Sequence, residues 1–156
     1  MTLQPETLSM RNQKVQLLQG GTGSPVLYLH GLVADIHSLP ADGGFTTFHD
    51  TLAESFSLYA PALPGYADTE GYDDLEKIED VVFFCLEVLD ASNLKKVHLI
   101  GTALGGWVAT EFVTRYAHQL EKLVLMNPRG IPTLEAHIGN FFHTVIPRVG
   151  MMKLES

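Results

Sequence analysis

Cysteine is almost absent from this chain. Cys85 stands alone among 156 residues, so no intrachain disulfide and no multi-cysteine zinc site is available. Basic residues are scarce too. Ten lysines and arginines stand against eighteen aspartates and glutamates, a formal net charge of −8 at pH 7. That balance disfavours a sequence-independent grip on nucleic acid and electrostatic adhesion to anionic membranes. Long apolar runs are missing: the longest, Val81 to Leu89, is interrupted by Glu87 and is far too short to cross a bilayer. Met1 to Met10 carries no apolar stretch of the secretory-signal kind, and a cytoplasmic location is expected. No repeat and no low-complexity linker is visible.

What is present suits a folded single domain. Hydrophobic residues make up 46% of the chain and charged residues 18%, which argues for a real core and against disorder. Much of the acidic excess is local: Asp68, Glu70, Asp73, Asp74, Glu76, Glu79 and Asp80 crowd one stretch. Such a run reads as a solvated loop followed by the first turn of a helix, where acids suit the positive end of the helix dipole. No other ligand cluster supports a metal site, and neither metal nor cofactor is expected.

Apolar periodicity divides the chain into alternating strands and helices. Residues Thr7 to Leu18 read as two short strands with a turn near Arg11-Asn12-Gln13. Val26-Leu27-Tyr28-Leu29 is short, continuous and bounded by turn residues, as a buried strand is. Asp42-Gly43-Gly44 opens a helix with Phe45, Phe48 and Leu52 on one face. Phe56 to Ala60 is a strand that Pro61 should stop. Leu75, Ile78, Val82, Cys85, Leu86 and Leu89 recur at three- and four-residue steps, the stripe of an amphipathic helix. Cys85 lies on that stripe and reads as a small buried hydrophobe. Val97 to Ile100 is a strand, Leu104 to Ala117 a helix, and Leu123 to Met126 a final strand before Asn127-Pro128. This alternation predicts an α/β fold with a mostly parallel, twisted sheet flanked by helices. Ligands of such sheets sit at the strand carboxyl ends. His30-Gly31, Pro64-Gly65, Gly101 to Gly106 and Asn127-Pro128 all fall there, so one crevice is expected to gather them.

The third of these stretches carries the most chemistry. Val97 to Ile100 runs into Gly101-Thr102-Ala103-Leu104-Gly105-Gly106, whose Gly-x-Ala-x-Gly spacing is that of a nucleophile elbow with alanine at the serine position. Gly101 and Gly105 leave room for a sharp strand-to-helix turn, and Gly106 lets the helix approach the sheet. The Leu104 N–H, at the helix start, points toward the place where an oxyanion would form. A methyl group has no lone pair with which to form an acyl-enzyme. A nucleotide-binding reading fails, because the spacing is not G-x-G-x-x-G and no Gly-Lys-Ser/Thr occurs.

In order, Leu29-His30-Gly31, Pro61-x-x-Pro64-Gly65, Gly101-x-Ala103-x-Gly105-Gly106 and Leu123-Val124-Leu125 resemble the α/β-hydrolase superfamily. The resemblance covers roughly residues 7 to 133. It implies a core over 1–133 and the start of a lid or cap over 134–156, with the sheet cut short after about the sixth strand. It implies Ala103 at the nucleophile position, Leu104 and Leu32 as the two oxyanion-hole N–H donors, and a structural role for His30 beside Gly31 in the oxyanion loop. The lineage would hydrolyse a small ester, amide or C–C bond by a Ser-His-Asp route. The family's acid and histidine come after later strands, so this chain is expected to be inactive. None of His37, His49, His98, His118, His137 and His143 is placed as a catalytic base. Ala62 and Ala67 stand where the family often has Asp and Gly. The expected partner is a small carbonyl substrate or ligand. The alternative is a non-catalytic binding or interaction protein on the same fold. The strand at 123–126 is expected to be an exposed apolar edge, inviting self-association or a complementary chain and making the chain marginally stable alone.

Overall fold

A computed structural model describes residues 3–10, 13–31, 47–70 and 75–130. The first two strands, β1 (Gln4–Met10) and β2 (Gln13–Gly20), form an antiparallel pair. They are followed by β3 (Pro25–Leu29), α1 (Thr47–Ser55) and β4 (Ser57–Pro61). The remainder runs α2 (Ile78–Ala91), β5 (Val97–Thr102), α3 (Leu104–Tyr116), a 3-10 turn at Ala117–Gln119 and β6 (Leu120–Met126). The six strands form one sheet in the order β1-β2-β4-β3-β5-β6. The β4-β3-β5-β6 portion is parallel, and β2 joins β4 antiparallel.

The central strands β3, β4 and β5 are buried on both faces, as their continuous apolar runs imply, whereas the edge strands β1 and β6 are largely exposed. Val26 and Tyr28 of β3 and Ile100 of β5 face a core shared with Ala53 of α1. Leu27, Leu29, Val97 and Leu99 face the opposite core, formed with α2 and α3 around Val82, Cys85, Val108 and Phe112. The architecture is therefore α/β with three layers. After β4 the chain crosses to the other side of β3. That reversal leaves the carboxyl ends of β3 and β5 side by side, with no strand between them, where a crevice belongs.

Several local expectations shift. The fully buried residues of α1 are His49 and Ala53; of the expected face, Leu52 packs half-buried against the same core, while Phe48 is 42% exposed and tilts over Tyr28 at 6.3 Å. His49 packs edge-on against Tyr28 at 4.6 Å on the buried side of the helix. Phe45 and the Asp42-Gly43-Gly44 helix opening lie outside the described residues. Pro61 does not stop β4 short but is its last residue, paired with Leu17. The Ala62 N–H then reaches the Gln16 carbonyl at 2.9 Å. The final strand starts at Leu120, three residues before the expected Leu123. In the acidic stretch, Asp80 accepts from the Glu76 and Lys77 N–H groups at 2.9 and 2.8 Å, a cap on α2. Asp73, Asp74 and the expected lid over 134–156 lie outside the described residues. Among the described residues no helix is long and apolar enough to cross a membrane.

Candidate active site

The elbow forms where β5 meets α3. Ala103 joins them with φ 47° and ψ −108°, a region that alanine seldom occupies. Hydrogen bonds on both sides hold it there. The Ala103 N–H donates to the Met126 carbonyl at 3.0 Å, and the Ala103 carbonyl accepts from the Arg129 N–H at 2.9 Å and the Trp107 N–H at 3.2 Å. The chain just past β6 thus grips the elbow residue through its main chain.

The glycines around it are a matter of space. A Cβ on Gly101 would stand 2.4 Å from the Gly105 carbonyl oxygen, and one on Gly105 would stand 2.1 Å from the Leu29 carbonyl oxygen. Both obstacles are backbone and cannot swing aside. A Cβ on Gly106 would meet Pro128 at 2.8 Å, so α3 rests directly on the loop after β6. Gly31 lies against the elbow, since a Cβ there would come 3.2 Å from the Ala103 methyl. Gly31 and Ala103 are therefore neighbours at the carboxyl ends of β3 and β5.

His30, the first residue after β3, is 1% exposed. Its carbonyl accepts from the Gly105 N–H at 3.0 Å. Its ring Nε2 lies 2.9 Å from the Leu63 N–H, and its Nδ1 lies 2.7 Å from the Gly31 carbonyl. The Tyr66 ring stands edge-on to it at 4.6 Å, and burial pushes the Tyr66 phenol well above its ordinary range. Both ring nitrogens are thereby committed to the main chain, as a structural histidine's are. Leu104 is buried, and its N–H, the first of α3, finds no acceptor among the described residues. Leu32 lies outside the described residues.

Other histidines stand apart from the elbow. His98 lies at the Val26 level of β5, about 16 Å of extended strand before residue 103. His118 follows the whole length of α3, about 20 Å of helix away. His49 is under α1 against Tyr28. His37, His137 and His143 lie outside the described residues. Among the described residues no group of three or more His, Cys, Asp or Glu is placed to hold a metal ion.

Two features escaped the sequence reading. One is the clamp of Met126 and Arg129 on Ala103, whose visible trace is the turn composition of Asn127-Pro128-Arg129-Gly130, with Asn127 at φ 47° and Gly130 at φ 77°. The other is the Leu63 N–H as partner of His30. Ala67, noted for standing where glycine is frequent, has φ 48°, a conformation that favours glycine.

A family model described as the alpha/beta hydrolase family matches residues 26–153. Among curated proteins, the chain is 26% identical over 151 residues to a 2-hydroxy-6-oxononadienedioate/2-hydroxy-6-oxononatrienedioate hydrolase of Comamonas testosteroni, covering 93% of this chain and 48% of that protein. It is 29% identical over 112 residues to a 2-hydroxy-6-oxo-2,4-heptadienoate hydrolase of Pseudomonas putida F1, covering 71% and 40%. Among solved structures, a bacterial membrane phospholipase A superposes with a TM-score of 0.75 at 22% identity, covering 86% of this chain and 42% of that one, a likeness of fold alone. The chain spans about half, or less, of the length of these relatives. With the matched span, the six-stranded sheet and the glycine-framed elbow in agreement, the chain belongs to the α/β hydrolase family.

Proposed function

We propose that this chain carries the elbow half of a hydrolase lineage acting on small carbonyl substrates, with C–C bond hydrolysis of 2-hydroxy-6-oxo-dienoates as the leading substrate class, and that the chain itself is catalytically silent. The observation that carries the reading is the backbone of Ala103. A strained φ, ψ pair persists at the strand-to-helix junction, with the Leu104 N–H beside it unused among the described residues. The dienoate class comes from the names of the curated relatives. In this reading Ala103 occupies the nucleophile position, and Leu104 and Leu32 supply the N–H pair that would receive a carbonyl oxygen. His30 and Gly31 shape the wall behind it. One such donor is worth about 3 kcal/mol to an acyl transfer where it has been measured. The silence follows from the methyl group, which cannot attack a carbonyl, and from the distance of His49, His98 and His118 from the elbow.

Introducing a hydroxyl at residue 103 tests this. Ala103→Ser alone should give neither ester nor dienoate turnover above the uncatalysed rate and no stoichiometric labelling by a fluorophosphonate, because no described histidine is placed to take its proton. A titratable active site in that single variant would overturn the reading. A second reading is non-catalytic binding of an apolar carbonyl ligand. It is favoured by a crevice whose glycine frame and open N–H are intact without a nucleophile. Calorimetry with a 2-hydroxy-6-oxo-dienoate then shows binding by the chain as it stands. The partner expected at residues 123–126 is a second copy of the chain or a complementary strand.

A further inference from the structure

We propose that His30 is a proton-sensitive positioning residue: its neutral ring holds the loop after β4 against the elbow, and a second proton on the ring releases that loop. The inference rests on the crevice just described, yet it concerns hydrogen bonds and not turnover. An amide N–H only donates and a carbonyl only accepts. With Leu63 N–H at Nε2 and the Gly31 carbonyl at Nδ1, the ring must be neutral and must carry its proton on Nδ1. Through its own carbonyl the same residue holds the Gly105 N–H at the start of α3. One residue therefore ties together the loop after β4, the Gly31 turn and the elbow helix.

Protonation breaks only one of these ties. A hydrogen on Nε2 would point at the Leu63 N–H, donor against donor, while the bonds from Nδ1 and from the His30 carbonyl survive. Among the described residues the titratable side chain against the ring is Tyr66, in the loop after β4, and burial keeps its phenol neutral. From α3 the ring's residue meets Gly105, and beyond β3 it meets Gly31; neither ionises. The loop cannot leave as a whole. The Ala62 N–H is held by the Gln16 carbonyl at 2.9 Å, Thr69 Oγ1 accepts from the Gln16 N–H at 2.9 Å, and the Glu70 N–H reaches the Lys14 carbonyl at 3.2 Å. The Asp68 N–H is held too, by Gln16 Oε1 at 3.2 Å, so release is confined to the stretch between Ala62 and Asp68, which carries Tyr66 against the His30 ring. Such a segment opens locally while the sheet stays closed.

Nuclear magnetic resonance on the full chain tests this directly. At neutral pH the His30 nitrogens should show a protonated Nδ1 and a bare Nε2. As the pH falls through the His30 titration, the exchange protection factor of the Leu63 amide should drop at least tenfold, while the amides of Val26 to Leu29 keep theirs. His30→Gln places a carboxamide oxygen, which does not titrate in this range, near the Nε2 position; there Leu63 should stay protected throughout. The reverse tautomer, or Leu63 protection unchanged across the His30 titration, would overturn the proposal. Failure to bind or turn over a dienoate overturns the functional reading and leaves this coupling standing.

Discussion

At Ala103 a single backbone conformation carries most of the argument, and its energetics can be isolated. A non-glycine residue held in so sparse a region costs about 1–3 kcal/mol. Glycine accepts φ 47° and ψ −108° without that cost but loses about 0.5–1 kcal/mol to its freer unfolded chain. Ala103→Gly is therefore expected to raise stability by about 1 kcal/mol in urea unfolding, with an unchanged slope. A loss of stability would mean that the elbow is not strained in solution. The neighbouring glycines should behave oppositely. Gly105→Ala drives a methyl to 2.1 Å from the Leu29 carbonyl oxygen, with backbone on both sides. It should cost about 3 kcal/mol or leave no folded protein, measured by the same unfolding curve. Gly65, whose added Cβ would meet nothing within 4 Å, serves as the control for lost space as against lost backbone freedom.

At the scale of elements, the two edges of the sheet are unlike. The β1 edge is polar and exposed over Gln4, Pro5, Glu6 and Thr7, and Pro5 offers no N–H to an incoming strand. Among the described residues the β6 edge has no such protection. Val124 is 47% exposed and Met126 38%, on the face opposite Leu123 and Leu125, and among the described residues the outer side of β6 has no strand partner. Lys122 and Glu121 mark only one end of it, and Glu121 is already paired with Lys96 at 3.0 Å. If association runs through this edge, sedimentation velocity should show a mass that rises with concentration. Val124→Lys together with Met126→Lys should return the chain to a monomer while changing its unfolding free energy by less than about 0.5 kcal/mol, as exposed substitutions do. A wild-type monomer with a concentration-independent melt would remove the case for self-association.

Across the whole molecule, what the sequence disclosed follows from where each signal is stored. β3, β5 and α2 were legible because side chains that must be buried leave a periodic trace, and the elbow was legible because only glycine fits at Gly101 and Gly105. The hydrogen bonds that assemble the site left little trace, for each has a main-chain N–H as its donor. The Leu63 N–H reaches the His30 ring across 33 positions, and Ala103 is held by Met126 and Arg129, with nothing in the identity of Leu63, Met126 or Arg129 that announces either bond. The two cores also make an ionisation argument that the pattern anticipated for Cys85. It is 0% exposed between α2 and the sheet, and burial pushes its thiol far above the ordinary range. In the unfolded chain the same thiol ionises near pH about 8.5. Above that pH the unfolded state binds fewer protons than the folded state, so stability falls as pH rises, by up to about 1.4 kcal/mol per pH unit. Tyr66, raised for the same reason, adds its share only above pH about 10, the ordinary value of a phenol. The interval between about 8.5 and 9.5 therefore belongs to Cys85. Urea unfolding at both ends of it should show the wild type losing about 1 kcal/mol more than Cys85→Ala, after allowing for the variant's constant packing deficit. Parallel behaviour of the two proteins would mean that the thiol reaches solvent in the folded state, and that the core between α2 and the sheet is looser than its packing indicates.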